Sequence, residues 1–148
     1  KGEPYALRLD MTAAIELARE ISGQALISYV AFDDDGRERR VIADPARWGD
    51  AVIVRKDVPA SYHLAVVVDD HRQGITHVTR GEDLEAATDL HRLLQVLFGF
   101  EAPRYHHHRL LLDEGGVKLA KRSGSESLRS LREKGLTPED IRRMMTAV

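Results

Sequence analysis

The chain has 148 residues, which is enough for one domain with a hydrophobic core or for part of a larger one. Its 43% apolar and 31% charged residues exclude a disordered chain, and its net charge of −2 excludes a basic field over the whole surface, so that any RNA contact must be local. The sequence contains no cysteine for a disulfide and no apolar run near the roughly 20 residues of a membrane span, and we expect a cytoplasmic protein.

The first third of the chain has the pattern of a small mixed α/β unit. DMTAAIELAREISG predicts a helix capped by Asp10 or Thr12 and ended by Gly23, because its apolar residues recur at helical spacing. ALISYVAF and RERRVIA flank the turn DDDG with alternating polarity, which is typical of a β-hairpin. DPARWGD is predicted as a loop and AVIVR as a short strand, so this unit should occupy residues 1–56.

The middle of the chain begins with two conflicting signals in SYHLAVVVDDH. Its three consecutive valines favour a strand, whereas a serine cap after Pro59 and apolar residues at helical spacing favour a helix. The following ITHVTRG predicts a buried strand. EDLEAATDLHRLLQVLFGF predicts the strongest helix of the chain, with an acidic first turn and an end at Gly99.

The last third continues the alternation of strands and helices. After Pro103, YHHHRLLLD, an EGG turn and VKL predict a second hairpin-like stretch. SESLRSLREKG predicts a helix capped at Ser125 and ended at Gly135, and TPEDIRRMM predicts one with Thr137 as its cap and Asp140 closing a capping box. This order of elements predicts an α/β fold that contains half of a parallel sheet.

Two lysines stand on a short, Gly-punctuated loop in VKLAKRSGS. Lys118 and Lys121 lie there between a predicted strand and a predicted helix. A lysine on a mobile loop can reach the negative charge that grows on phosphate oxygens in a transition state. The same residues are also compatible with a solvated surface cluster.

Arg80 is a candidate binding residue because it ends the strand ITHVTR. Ligands of open α/β sheets collect beyond the carboxyl ends of the strands, where a guanidinium can hold a carboxylate by paired hydrogen bonds. An internal ion pair with Glu82, Asp83 or Asp69 is equally compatible with the sequence. Tyr62 could offer its hydroxyl to an amino-acid substrate or could pack in the core.

Two further clusters of titratable residues are less specific. Asp69 and Asp70 are adjacent and cannot share a helix face, so no carboxylate dyad is expected, although one of them could orient a guanidinium or a substrate ammonium group. His106, His107 and His108 fall in a strand, where only the first and the last share a face. No carboxylate lies at ligand spacing, and we therefore predict no metal site.

Four motifs in order resemble one family. SYHLAVVVDDHRQGITHVTRGEDL, ATDLHRLLQ, YHHHRLLLDEGGVKLAKR and SLRSLREKGLTPEDIRRM together resemble the class I glutamyl-tRNA synthetases, and most closely their truncated paralogues, the glutamyl-Q tRNA(Asp) synthetases. The resemblance covers Gly49 to Met145 and extends loosely over RLDMTAAIELA. It implies the C-terminal half of a Rossmann-like catalytic domain in residues 57–148, the remainder of a small α/β insertion in residues 1–56, and a helix around Tyr62.

The resemblance also implies roles for individual residues. VKLAKR looks like the mobile signature loop of the family, in which Lys121 matches the catalytic lysine that contacts ATP, with Lys118 and Leu119 as further ATP-binding positions. Tyr62 and Arg80 match the positions that hold glutamate. The serine of the signature loop is alanine in this sequence, which removes one hydroxyl from the loop.

The implied activity is activation of glutamate with ATP, accompanied by Mg²⁺, followed by transfer of the glutamyl group to tRNA. The acceptor is the queuosine base of tRNA(Asp) in the paralogues and the terminal adenosine of tRNA(Glu) in the full synthetases. The family's His-Ile-Gly-His-like ATP motif, its early serine and glutamate contacts and the Cys-rich zinc site of some members would precede Lys1. We therefore expect a fragment that is inactive alone, and a non-catalytic RNA- or nucleotide-binding module stays open as an alternative.

Overall fold

The computed structural model describes residues 5–112, 115–116, 118–119 and 126–146, and the chain divides into two compact units at His108–Arg109. The strands of the first unit are β1 (Leu7–Arg8), β2 (Ser28–Phe32), β3 (Glu38–Ile42), β4 (Val52–Val54), β5 (His77–Gly81) and β6 (Arg104–His108). Its helices are α1 (Met11–Ser22), α2 (Tyr62–Arg72) and α3 (Glu85–Phe98), with 3-10 turns at Pro45–Trp48 and Glu82–Leu84.

Four of these strands form one mixed sheet in the order β3-β2-β6-β5. β2 and β3 are the antiparallel hairpin predicted around DDDG, and β6 runs parallel to both β2 and β5. The register of the β5–β6 ladder places Arg80 opposite His107. β1 and β4 form a separate antiparallel pair. The predicted α/β fold class with parallel strands is therefore confirmed.

The hydrophobic core of the first unit is centred on α3, against which both α1 and α2 pack. Leu90, Leu93 and Leu94 are at most 2% exposed and belong to one cluster with residues of the sheet. In that cluster the rings of Tyr29 from β2 and Tyr105 from β6 meet edge to face, with 5.6 Å between their centroids. The amphipathic pattern that predicted α3 therefore also identified its buried face.

The ends of α1 and α2 follow from local side-chain chemistry. The Asp10 carboxylate accepts a hydrogen bond from the Ala13 N–H at 3.0 Å, and Gly23 ends α1 with a φ of 65° that favours glycine. Ser61 Oγ accepts from the Leu64 N–H at 3.3 Å and begins α2. The conflict in SYHLAVVVDDH is thus resolved in favour of a helix, which buries Val67.

The prediction of a buried strand for ITHVTRG is wrong in one respect. Among the described strands β5 pairs only with β6, and its residues are exposed or only partly buried. An edge strand is hydrogen-bonded along one side only, and the composition of a strand does not reveal how many neighbours it will have. The predicted loop DPARWGD, in addition, contains the 3-10 turn Pro45–Trp48.

The second unit contains α4 (Leu128–Glu133) and α5 (Pro138–Thr146). Leu112 and Lys118 form an isolated antiparallel bridge, and the Leu119 N–H donates to the Leu111 carbonyl at 2.9 Å, as the hairpin-like pattern predicted. Every helix in the described ranges is too short or too polar to cross a membrane.

The two helices of the second unit begin at polar caps. For α5 the predicted capping box is confirmed, since the Asp140 N–H donates to Thr137 Oγ1 at 3.2 Å and the Thr137 N–H donates to Asp140 Oδ2 at 2.9 Å. The prediction of Ser125 as the cap of α4 is wrong. Ser127 holds that position, because its Oγ accepts from the Ser130 N–H at 3.1 Å in the first turn, whereas Ser125 lies outside the described residues.

The division at residue 56 does not coincide with a boundary between compact units. β2 precedes that residue and β6 follows it, yet the two strands are hydrogen-bonded in one sheet. The structural boundary falls instead at His108–Arg109. The separation of residues 1–56 from residues 57–148, as insertion and catalytic segments, stays a prediction.

Replacing Leu90 by alanine should destabilise the protein by about 2–5 kcal/mol, because it removes a side chain that is fully buried in the centre of the core. The matched control is Leu17→Ala on α1, where the side chain is 49% exposed and the expected loss is under about 1 kcal/mol. Urea unfolding followed by circular dichroism would compare the two. Equal losses would contradict the assignment of the α3 face.

Candidate functional site

Arg80 lies at the carboxyl end of β5 and is partly buried against α3 and β6. Its Nη2 donates to Thr88 Oγ1 at 2.6 Å, its Nη1 lies 3.1 Å from His91 Nδ1, and its Nε donates to His107 Nε2 at 3.4 Å. Its Cζ also lies 5.1 Å from the centroid of the Tyr105 ring. The guanidinium is therefore surrounded by an alcohol, two imidazoles and an aromatic face.

No ion pair of Arg80 occurs within the part of the chain that the structure describes. The internal pairing with Glu82, Asp83 or Asp69 that the sequence left open is not formed there. Burial raises the pKa of Asp70, and the positive charge of Arg80 opposes that shift. These two described side chains form no hydrogen bond with each other. Arg80 thus presents a positive charge whose direct partners are all uncharged.

His91 continues the network from Arg80 to α2. Arginine can only donate hydrogen bonds, so His91 Nδ1 is the acceptor and the hydrogen of the neutral ring lies on Nε2. That Nε2 lies 3.0 Å from His63 Nδ1, which accepts the hydrogen. Burial, then the charge of Arg80, then His63 lower the pKa of His91 to about 3. Burial and Arg80 also lower the pKa of His63.

His107 and Thr88 hold the other side of the guanidinium. Thr88 Oγ1 accepts from Arg80 and lies 3.0 Å from His107 Nε2, to which its hydroxyl donates. His107 therefore carries its hydrogen on Nδ1, which is buried and has no partner among the described residues. Burial, followed by the charge of Arg80, lowers the pKa of His107 and favours its neutral form.

Tyr62 lies at the solvent side of the same cluster. It is the first residue of α2, and its side chain is 50% exposed, which excludes the core position that the sequence left open. The centroid of its ring lies 5.5 Å from that of His63 and 5.8 Å from that of His91. The structure therefore places Tyr62 and Arg80, the two residues expected to hold an amino acid, each next to His91.

The residues expected to bind ATP fall in the second unit. Lys118 forms the bridge with Leu112, and Leu119 is 44% exposed. Lys121, the expected catalytic lysine, lies outside the described residues. Its placement relative to the guanidinium of β5 stays a prediction.

The first two of the three consecutive histidines point to different surroundings. His106 Nε2 lies 3.1 Å from Asp34 Oδ1, and its ring stacks on Phe32 with 5.3 Å between centroids. His107 faces the guanidinium on the opposite side of the strand. Within the described ranges, no group of three or more histidine, aspartate or glutamate side chains could hold a metal ion, so these residues do not fit a zinc site.

Sequence reasoning missed four members of the network, namely His63, Thr88, His91 and His107. A signal for two of them was present in α3, where Thr88, His91 and Gln95 recur at a spacing of three and four residues within an apolar helix. All three are at most 2% exposed, and Gln95 Nε2 donates to the Tyr105 hydroxyl at 2.8 Å. A polar stripe on the buried face of a helix indicates polar partners across the interface.

Comparison with known proteins agrees with this fold. A family model described as the catalytic domain of class I tRNA synthetases (E and Q) matches residues 26–148. The chain is 44% identical over 139 residues to the glutamyl-Q tRNA(Asp) synthetase of Rhodobacter capsulatus, covering 94% of this chain and 47% of that protein. It is 36% identical over 146 residues to the glutamate–tRNA ligase of Chlamydophila psittaci, covering 99% of this chain and 26% of the relative.

A crystal structure of glutamate-tRNA synthetase from Elizabethkingia anophelis matches with a TM-score of 0.51 and 35% identity, over 68% of this chain and 20% of that one. The fold is therefore that of a class I synthetase catalytic domain. The chain belongs to the class I tRNA synthetases of the glutamate and glutamine type, as the motifs in its sequence indicated. It spans about half the length of the R. capsulatus relative and about a quarter of the C. psittaci one.

The network makes a prediction about protonation states. We expect His91 to be neutral with its hydrogen on Nε2 and His107 to be neutral with its hydrogen on Nδ1. Because the pKa of His91 is lowered from 6.5 to about 3, its ring should stay neutral as the pH falls from 7 to 5. Nitrogen-15 NMR of the imidazole rings reports both the tautomer and the charge, and a charged His91 at pH 6 would contradict this network.

Proposed function

We propose that these residues form the amino-acid-binding part and the ATP-binding loop of a ligase that activates glutamate with ATP and transfers it to tRNA. The observation that carries the proposal is Arg80, whose hydrogen-bond partners within the described residues are all neutral. Membership of the class I synthetase family supports the reaction type. The proposal concerns the full-length protein that contains these residues, because the family's second ATP motif is not among them.

The guanidinium has the donors that a carboxylate needs. It carries five N–H groups, and His107, Thr88 and His91 accept one each, which leaves 5 − 3 = 2 N–H groups, one on each terminal nitrogen. Two parallel N–H groups can hold both oxygens of one carboxylate. A neutral amide would leave the partly buried charge uncompensated, so the site favours an acidic amino acid such as glutamate.

Tyr62 supplies a second polar contact. Its exposed side chain lies beside His91, which contacts the guanidinium, and its phenolic hydroxyl can donate or accept a hydrogen bond. We assign it to the orientation of the bound amino acid. The neighbouring imidazoles are neutral, and therefore they do not repel the ammonium group of that ligand.

The proposed chemistry begins with attack of the amino-acid α-carboxylate on the α-phosphorus of ATP. A new P–O bond forms while the bond to the bridging oxygen breaks, and pyrophosphate leaves with the electron pair. Lys121, together with Lys118, would neutralise the charge that grows on the leaving oxygens, and Leu119 stays a further candidate for contact with ATP. Mg²⁺ bound to ATP supplies further neutralisation of the phosphates.

For the acceptor we propose the queuosine base of tRNA(Asp). The identity of 44% to the glutamyl-Q tRNA(Asp) synthetase of R. capsulatus, compared with 36% to the glutamate–tRNA ligase of C. psittaci, supports this choice. The terminal adenosine of tRNA(Glu) is the alternative. Glutamylation assays with tRNA(Asp), with and without queuosine, and with tRNA(Glu) distinguish the two.

A non-catalytic RNA-binding module is the second candidate function. In the second unit, Arg129 and Arg132 line a cleft of about 450 Å³ next to α4 and α5, and guanidinium groups are suited to RNA phosphates. Salt-sensitive RNA binding without glutamate-dependent exchange of pyrophosphate into ATP would favour this function over the ligase.

Arg80→Ala should weaken glutamate binding by roughly 2–4 kcal/mol, because it removes both charge-assisted hydrogen bonds to the carboxylate. The matched control is Arg72→Ala, which removes an exposed arginine at the end of α2 and should leave glutamate affinity unchanged. The KM for glutamate in ATP–pyrophosphate exchange measures the effect. Unchanged glutamate affinity in Arg80→Ala would remove the substrate assignment.

Lys121→Ala should slow formation of the glutamyl-adenylate on the order of 100-fold, since one preorganised cation is lost from the transition state. Glutamate binding should change little. Lys56→Ala, which removes an exposed lysine of the first unit, serves as the control. A rate that falls equally in both variants, or in neither, would be incompatible with a specific role for the loop lysine.

A further inference from the structure

We propose that His91 is a positioning residue for Arg80: its Nδ1 fixes the direction of the guanidinium, and His63 fixes the tautomer that makes Nδ1 an acceptor. The inference rests on the proposed function, because it explains how the guanidinium is presented to an acidic amino acid. The two imidazoles would thereby determine glutamate affinity without touching glutamate.

The need for such a residue follows from the place of Arg80 in the fold. It lies at the carboxyl end of β5, and its long side chain has several rotatable bonds whose freedom is lost when it binds a ligand. His91, by contrast, is in the middle of α3 and 2% exposed. Because α3 is buried and fixed, the contact of His91 with Arg80 Nη1 restricts the position of a terminal nitrogen of the arginine.

The second imidazole matters because a histidine ring can accept on Nδ1 only when its hydrogen lies on Nε2. His63 Nδ1 lies 3.0 Å from that Nε2 and accepts its hydrogen. The orientation of the His63 ring is in turn fixed by Trp48, whose ring centroid is 5.1 Å away in an edge-to-face contact. The other tautomer of His91 would direct a hydrogen at the guanidinium and repel it, and acceptance of the Nε2 hydrogen by His63 adds to the preference that Arg80 imposes.

His91 also differs chemically from the residues that usually fix an arginine. A carboxylate at the same place would hold Arg80 more strongly, but it would neutralise the charge that the amino acid needs. A neutral imidazole accepts one hydrogen bond and leaves the charge of the guanidinium in place. The charged and titratable groups around His91 are Arg80 from β5, His63 and Tyr62 from α2, and His107 from β6.

Two amide substitutions of His91 separate positioning from packing. Asparagine can place its Oδ1 where Nδ1 lies, since both atoms are two bonds from Cβ, and it keeps the contact with Arg80. Glutamine can place its amide only near the Nε2 position, three bonds from Cβ, and it keeps the contact with His63 but not that with Arg80. We expect His91→Asn to keep the KM for glutamate within about 3-fold of wild type, and His91→Gln to raise it roughly 10- to 100-fold, as expected for loss of a hydrogen bond to a charged group.

The measurements are glutamate-dependent ATP–pyrophosphate exchange and L-glutamate titration of the full-length protein, with the KM for ATP determined in parallel. A positioning role changes the KM for glutamate and leaves the KM for ATP near wild type, whereas a general loss of structure changes both. The control is His77→Asn, which alters an exposed histidine of β5 and should change neither constant. Circular dichroism establishes that the compared variants are folded. Asparagine and glutamine are both polar, so neither His91 variant places an apolar side chain in the network.

The outcomes separate the inference from the proposed function. If wild type neither binds glutamate nor supports exchange, the proposed function fails. The proposed function stands if wild type binds glutamate and Arg80→Ala does not. If His91→Asn and His91→Gln then have equal KM values for glutamate, the positioning role of His91 is overturned. His63→Asn, which keeps an acceptor at the Nδ1 position, should behave like wild type, and His63→Leu should resemble His91→Gln.

Discussion

The site depends on one interaction, the contact of the Arg80 guanidinium with neutral acceptors. A partly buried cation normally recruits a carboxylate, which would cancel the charge that a ligand could use. Here an alcohol and two imidazoles take that place, and burial together with Arg80 itself keeps the imidazoles uncharged. The cation therefore keeps its charge and two of its N–H groups. The proposal of an acidic ligand rests on these two features.

Several elements must be in register for this contact to exist. The β5–β6 ladder pairs Arg80 with His107, the N-terminus of α2 brings His63 and Tyr62, and one face of α3 brings the remaining acceptors. The same helix packs its leucines in the core, so that the polar stripe of α3 is positioned by the burial of its apolar neighbours. A single helix thus contributes both to the hydrophobic core and to the polar network around Arg80.

The first segment of the chain also supports the site, although it contributes no candidate ligand contact. Arg47, in the 3-10 turn after the hairpin, forms an ion pair of 2.7 Å with the buried Asp89 of α3. In the same turn, Trp48 donates from its indole N–H to the Ala86 carbonyl at 3.0 Å and packs against His63. Side-chain contacts therefore join residues 1–56 to α3 within one unit. These contacts explain why the structural boundary does not fall at residue 56.

The sequence by itself determined the local features and the family. Caps at Asp10, Ser61 and Thr137 each depend on a side chain within three residues, and the motifs that resemble the synthetases are contiguous strings of residues. Arg80 could be selected from its position at the end of a strand. Only the tertiary structure decided that its partners are His91 and neutral groups instead of a nearby carboxylate, because strand order and register bring together residues that are 8 to 27 positions apart. The burial that makes those imidazoles neutral is likewise a property of the packed fold, and no single segment of the sequence contains it.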